Sequence, residues 1–353
     1  MSASSHGLEL VLRPRVRSRT PLAPGWAPGW APNTTTRAVL RRAAASGTTR
    51  TGLAVLAAIA LAAVLAPVLA THDPVTIDPA RRLLAPSGAH WLGTDDLGRD
   101  VFARLVYGAR VSLVVAAVVS LASVALGTLI GLVAATGRWT DAALMRGVDG
   151  TLALPGILVG LAVVLRLGPG LPAVLVALTL VHTPVVARLV RTTVLTTLAL
   201  PHVEAARAVG ARPTRVLLRH VLPTALSPLL AQWSFVAGLA VLSEASLSFL
   251  GAGVGPDTPT WGVLLRDGQR LLGVAWWVAV PAGAALTALT LACTLVGDGV
   301  RDALDPRHRA RVLARARTRA RAQSAAASAG STRSPSTSTA RRGSGPSGGP
   351  KDR

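Results

Sequence analysis

Thr151-Leu152-Ala153-Leu154-Pro155-Gly156-Ile157-Leu158-Val159-Gly160-Leu161-Ala162-Val163-Val164-Leu165, running on into Arg166-Leu167-Gly168-Pro169-Gly170, is the stretch on which the fold turns. It is apolar but short, it holds a proline, and it closes on a Gly-Pro-Gly run. Taken as a membrane crossing, it joins the next apolar run through a tight turn at Gly168-Pro169-Gly170, with Arg166 reaching the interface along its aliphatic stem. Without it the number of crossings is odd, and the two chain ends fall on opposite sides of the bilayer.

Outward from it lie five further apolar runs, at 51–70, 111–136, 171–190, about 224–242 and 272–296. Segment 51–70 is an uncharged run of 20 residues; at a rise of about 1.5 Å per residue it matches a hydrocarbon core of about 30 Å. Val68-Leu69-Ala70 resembles a signal-peptidase site. The apolar run is too long for a signal peptide, however, and a long basic segment precedes it, which favours an uncleaved anchor. The reading is an all-α membrane protein of six transmembrane helices.

Composition agrees. Half of the 353 residues are hydrophobic, mean hydropathy is +0.48, and 15% are charged, against about a quarter in soluble domains. The net charge is nevertheless +21, so the charge must sit outside the apolar runs. Basic residues near helix ends select the cytoplasmic side. Six crossings place the N-terminal arm, the loop with Arg138 and Arg146, the segment from Arg188 to Arg219 and the tail from Arg301 all on that side. The loops left outside mix Arg99, Arg104 and Arg110 with Asp95, Asp96 and Asp100, and Arg266 and Arg270 with Asp257 and Asp267.

Two exclusions follow. The sole lysine is Lys351, so no P-loop, which needs a lysine after its glycines, can be built in the body. Cys293 is the sole cysteine, which rules out an internal disulfide and a thiolate metal site. No catalytic triad, paired carboxylates or metal-ligand cluster stands out, and no cofactor or metal is expected. His182 and Pro184 read as helix packing and a kink.

The chain divides into a basic, proline-broken arm (1–50), a first helix with an outer loop (51–108), a membrane domain (109–298) and a basic tail (299–353). The arm, with Pro24-Gly25-Trp26-Ala27-Pro28-Gly29-Trp30-Ala31-Pro32, cannot sustain a helix or bury a core. It serves to orient the first crossing; nucleic acid is not an expected partner. The tail run Arg307, Arg309, Arg311, Arg315, Arg317, Arg319 and Arg321 anchors by charge, and membrane lipid is its natural partner.

Function is carried by four stretches. Between the fourth and fifth runs, segment 191–222 is too long to lack structure of its own. Pro201 suits a first helical turn, Glu204 favours the positive end of that helix, and Gly210 suits its stop. A second short helix is expected from Pro213, ending before Pro223. Glu204-Ala205-Ala206, Arg207, Gly210 and Leu222-Pro223, at these offsets, resemble the EAA coupling loop of ABC importer permeases, with His220 standing where isoleucine is frequent.

The second stretch is His90-Trp91-Leu92-Gly93-Thr94-Asp95-Asp96-Leu97-Gly98-Arg99-Asp100-Val101 and on to Leu113. Thr94 or Asp95 is expected to cap an amphipathic helix whose stripe is Leu97, Val101 and Leu105. It is similar to the segment leading into the membrane domain in the dipeptide/oligopeptide/nickel branch of those permeases, their "C" type subunit, with Trp91 in place of proline. The third, Glu244-Ala245-Ser246-Leu247-Ser248-Phe249-Leu250-Gly251 to Trp261-Gly262, resembles that branch's loop after the fifth helix. Glu244 either faces the pathway or, as the plainer reading, pairs within the protein. The fourth, Gly297-Asp298-Gly299-Val300-Arg301-Asp302-Ala303-Leu304-Asp305-Pro306-Arg307, is similar to its closing signature.

The resemblance implies a type I ABC importer permease fold without enzymatic activity of its own. It implies a second homologous permease, two cytoplasmic ATP-binding subunits and an extracytoplasmic solute-binding protein as partners, with Asp95, Arg99, Asp100 and Trp261 as candidate contacts for the last. Peptide is the favoured cargo, with nickel or another small solute as the alternative. A self-contained channel or ion-coupled transporter is the rival of another class; nearly charge-free apolar runs and the lack of a convincing repeat weigh against it.

Overall fold

The computed structural model describes residues 46–304 other than Pro256, all within one compact unit, and these form a bundle of helices without strands. The readings placed on the basic arm and tail fall almost wholly outside the described residues. The first helix, α1 (Gly47–Val64), is capped by Ser46, whose Oγ accepts from the Thr49 amide, and is followed by one turn, α2 (Ala66–Leu69). Then come α3 (Val101–Ala134), α4 (Arg138–Leu152), α5 (Gly156–Leu167), α6 (Leu171–Leu198), α7 (Pro201–Ala208), α8 (Pro213–Val216), α9 (Leu222–Phe249), α10 (Trp261–Gln269) and α11 (Trp276–Leu304).

Helices α1, α3, α6, α9 and α11 are long and apolar enough to cross a membrane. The crossing expected at 151–165 takes a different form. Helix α5 has 12 residues, roughly 18 Å at the α-helical rise and too short alone for the hydrocarbon core. It is bent by 93° from α4. The break falls at Pro155, whose missing N–H and ring disfavour helix at and before it. The count is therefore five, or six if the bent α4–α5 pair makes one crossing. The turn itself is as expected: Gly168 and Gly170, with φ of 87° and 152°, carry the chain from α5 into α6.

Helix α3 has 34 residues, roughly 51 Å of rod. It packs along α6 through Gly127 and Gly131, where a Cβ would lie 2.6 Å from Val186 Cβ and 2.7 Å from Val190 Cβ. This small-xxx-small spacing lets two backbones close up where lipid offers no hydrophobic drive and van der Waals contact must hold helices together. Likewise α1 approaches α11 at Gly52, where a Cβ would lie 2.9 Å from the Ala292 carbonyl oxygen. One apolar cluster unites α1, α3, α9, α10 and α11 around Trp261, Leu264, Val278 and Leu289. Another joins α6, α7, α8 and α9 through Val190, Val203, Val216 and Leu229.

The amphipathic helix expected from Thr94 or Asp95 does not form. Asp95 Oδ1 accepts from the amides of Leu97 and Arg99, each at 2.9 Å, and Gly98 has φ of 79°. A side-chain acceptor offered to local amides competes with the helical ladder. Residues 94–100 instead make a tight loop closed by a bridge between Thr94 and Asp100, and the helix starts at Val101, with Asp100 Oδ1 accepting from Ala103 N at 2.7 Å.

Candidate functional site

The bundle presents two candidate regions, one at each end of α3. At the C-terminal end, α6 runs on to Leu198, well past its apolar stretch, and Leu200 turns the chain into α7. Pro201 opens α7, Glu204 lies in its first turn, and Gly210, with φ of 81°, reverses the chain after it. No atom lies within 4 Å of a Cβ built at Gly210, so backbone conformation, rather than space, calls for glycine there.

Helix α8 does not stop before Pro223. It passes through a π turn, Leu217–Val221, straight into α9, with the Leu222 amide donating five residues back to the Leu217 carbonyl. Pro223 has no N–H for the ladder and its ring crowds the preceding turn. Widening that turn by one residue lets the helix carry on into α9. The hairpin is pinned at its base by the Thr197 and Thr224 hydroxyls, 3.1 Å apart, and by Val203, Val216 and Val221, which are buried beside Leu132 and Ala135 of the α3 end and Leu198 of α6. Glu204, Ala205, Arg207 and Gly210 are exposed and Ala206, Leu222 and Pro223 are half-buried. At the tip Val209 is 86% exposed. That apolar residue carries no motif signal, and sequence reading passed over it.

At the other end of α3, Asp95 is fully buried and pairs with Arg99 (2.7 Å) and Arg104 (3.7 Å). Both guanidiniums reach a second carboxylate, Asp267 on α10, at 3.4 and 3.7 Å. Two buried cations thus face two carboxylates, which is how such charges are tolerated away from water. Trp261 donates from Nε1 to the Leu105 carbonyl at 2.9 Å, and Trp277 donates to the Thr94 carbonyl at 3.3 Å. Asp95, Arg99, Asp100 and Trp261, expected as contacts for a binding protein, are interior groups in this chain: Arg99 and Trp261 tie the 94–105 segment to α10, Asp95 holds Arg99 and Arg104, and Asp100 caps α3 beside His90. Trp91 and Leu97 are what this segment exposes.

Glu244, on α9, is fully buried and accepts from the Ser248 hydroxyl at 2.7 Å. Its pairing is internal, as the plainer reading held, but to a hydroxyl rather than a cation. Where no metal-ligand cluster was expected, the fold brings together His72, His90 and Asp100, separated in sequence by up to 28 positions. Spacing of that kind gives no local motif to read.

A helical membrane protein with an exposed, motif-bearing hairpin between two crossings is the class so defined. Residues 127–310 match the family of binding-protein-dependent transport system inner membrane components, and residues 34–86 match the N-terminal transmembrane domain of oligopeptide transport permease C. A peptide transport system permease protein of Brucella suis is 42% identical over 258 residues, 73% of this chain and 87% of that one. A dipeptide transport system permease protein of Alkalihalophilus pseudofirmus is 38% identical over 260 residues, 73% of this chain and 86% of that one. A di/tripeptide transport system permease protein of Pseudomonas aeruginosa is 38% identical over 263 residues, 72% and 87% of the two chains. The chain belongs to the binding-protein-dependent transport system inner membrane component family.

Proposed function

We propose that this chain forms half of the translocation pathway of an ATP-driven peptide importer, with the α7–α8 hairpin as the part that receives motion from a cytoplasmic ATPase. The observation that carries this is the division of the hairpin. Val203, Val216 and Val221 are buried against the bundle, while Val209, Glu204 and Arg207 are exposed. A lever needs a fulcrum in the membrane part and an anchor that fits a partner's groove, and an exposed apolar side chain at the hairpin tip suits that anchor. The relatives named for peptide and dipeptide transport support peptide as cargo.

A second permease copy or homologue completes the pathway, two ATP-binding subunits sit under the hairpins, and a solute-binding protein meets the opposite face. Both termini lie in the cytoplasm. Rocking of the crossings between inward- and outward-open arrangements then follows closure of the ATPases. The chain itself makes and breaks no covalent bond.

The test is uptake of a labelled dipeptide by cells carrying the assembled transporter. Gly210→Pro and Glu204→Lys abolish uptake while membrane insertion and the level of the chain stay normal. Unimpaired uptake by both variants overturns the coupling role.

A further inference from the structure

We propose that His72, His90 and Asp100 form a binding site for a divalent transition ion of the zinc class, at the end of the bundle opposite the hairpin. This goes beyond the transport reading and does not depend on it. His90 Nδ1 lies 2.8 Å from Asp100 Oδ2, and His72 Nδ1 lies 3.8 Å from the same oxygen. The two imidazoles sit 4.6 Å apart between centroids, tilted by 34°, and the donor atoms of all three residues fall within 4.8 Å of one another.

The distances suit the chemistry. Zinc bonds imidazole nitrogen at about 2.0–2.1 Å and carboxylate oxygen at about 2.0–2.2 Å, so ligand atoms around a tetrahedral ion stand roughly 3.3–3.5 Å apart. Asp100 and His90 are held in the interior, at 5% and 4% exposure, whereas His72 is about one-third exposed on the segment leaving α2. His90 Nδ1 and Asp100 Oδ2 now share a hydrogen bond, so binding opens that pair by roughly half an ångström with loss of its proton, while His72 closes by about an ångström, to set three donors around one centre. Two imidazoles and one carboxylate are a donor set that favours zinc, nickel and copper over magnesium and calcium, which take mainly oxygen.

Two further features point to a ligand rather than to packing alone. Asp100 divides its oxygens: Oδ1 caps α3 through the Ala103 amide, which leaves Oδ2 for the imidazoles. The neighbouring Arg99 is engaged by Asp95 and Asp267, so the buried Asp100 charge meets the helix terminus and two imidazoles instead of a guanidinium. His90 Nε2 is buried without a hydrogen-bond partner. The imidazole is thus anchored on the Asp100 side alone, and a buried polar atom left so calls for an explanation. A bound ion would join three stretches of chain, the exit of α2, the turn before Trp91 and the residue that caps α3, into one clamp.

The full chain, purified with a tag free of histidine, chelated and then titrated with Zn2+, tests the site. Metal content after desalting and a competition titration are the readouts. A His202→Ala/His220→Ala background removes the other pair of neighbouring histidines among the described residues, whose rings lie 6.3 Å apart. In that background the chain retains one Zn2+. His72→Ala, at a position about one-third exposed, and Asp100→Asn, which keeps a capping oxygen, each bind at least tenfold more weakly. Zn2+ raises the melting temperature of the parent and not of the two variants. Equal retention and equal affinity in parent and His72→Ala overturn the site, as does a parent that retains no zinc.

Discussion

Asp95 lies between two guanidiniums with no exposure to solvent, and its removal strands both cations with only Asp267 to share. Breaking a buried pair from one side costs about 3–5 kcal/mol, so Asp95→Ala lowers the thermal midpoint of the purified chain sharply and reduces its level in membranes. Arg188 and Asp149 form a pair of equal chemistry, 2.6 Å apart, but at 55% and 61% side-chain exposure. Exposed pairs are worth less than about 1 kcal/mol, and Arg188→Ala leaves the midpoint nearly unchanged. The same melting series that shows equal losses for both variants refutes this ordering. Gly210→Ala isolates the cost of the left-handed residue, about 1–2 kcal/mol, because nothing crowds its Cβ; a reduced rather than abolished uptake is expected. At this scale the sequence was legible where a motif fixed the offsets, as with Glu204 and Gly210. It was not legible for the charge network around Asp95, since the second carboxylate, Asp267, lies 172 positions away.

Elements were legible in kind and less so in extent. The apolar runs located five long helices, yet α3 begins ten residues before its apolar stretch and α6 continues eight beyond. Capping by Asp100 and hairpin packing, both tertiary matters, set those ends. The bend between α4 and α5 was written in Pro155, but hydropathy alone could not tell a short crossing from half of a broken one. The α3–α6 seam offers a prediction of its own. Gly127→Val and Gly131→Leu push side chains into Val186, Val190 and the α6 backbone, overpacking that costs typically about 1–3 kcal/mol. Lower folded yield in detergent is expected from each, whereas Gly147→Ala, where a Cβ meets nothing within 4 Å, leaves yield intact. Normal yield from both bulky variants would show that the seam is looser than described.

For the molecule as a whole, sidedness is the property on which the transport reading hangs, and the chain supplies its own probe background. Its single cysteine, Cys293, is buried at 6% exposure. Val209→Cys at the hairpin tip reacts with a membrane-impermeant maleimide only after cells are opened, and Val274→Cys, 72% exposed before α11, reacts in intact cells. The reverse pattern inverts the topology and removes the ATPase from the hairpin. One feature of the bundle bears on how force would travel. The other crossings of comparable length, α6, α9 and α11, each contain an internal proline, at Pro184, Pro228 and Pro281, and α3 contains none. It meets the hairpin's buried valines near one terminus and the charge network at the other. Lacking a hinge of the proline kind, such a beam does not absorb displacement by flexing. On the proposed sidedness, a push on the hairpin end of α3 is expected to reappear as a swing of its far end, gearing opening on one side to closing on the other.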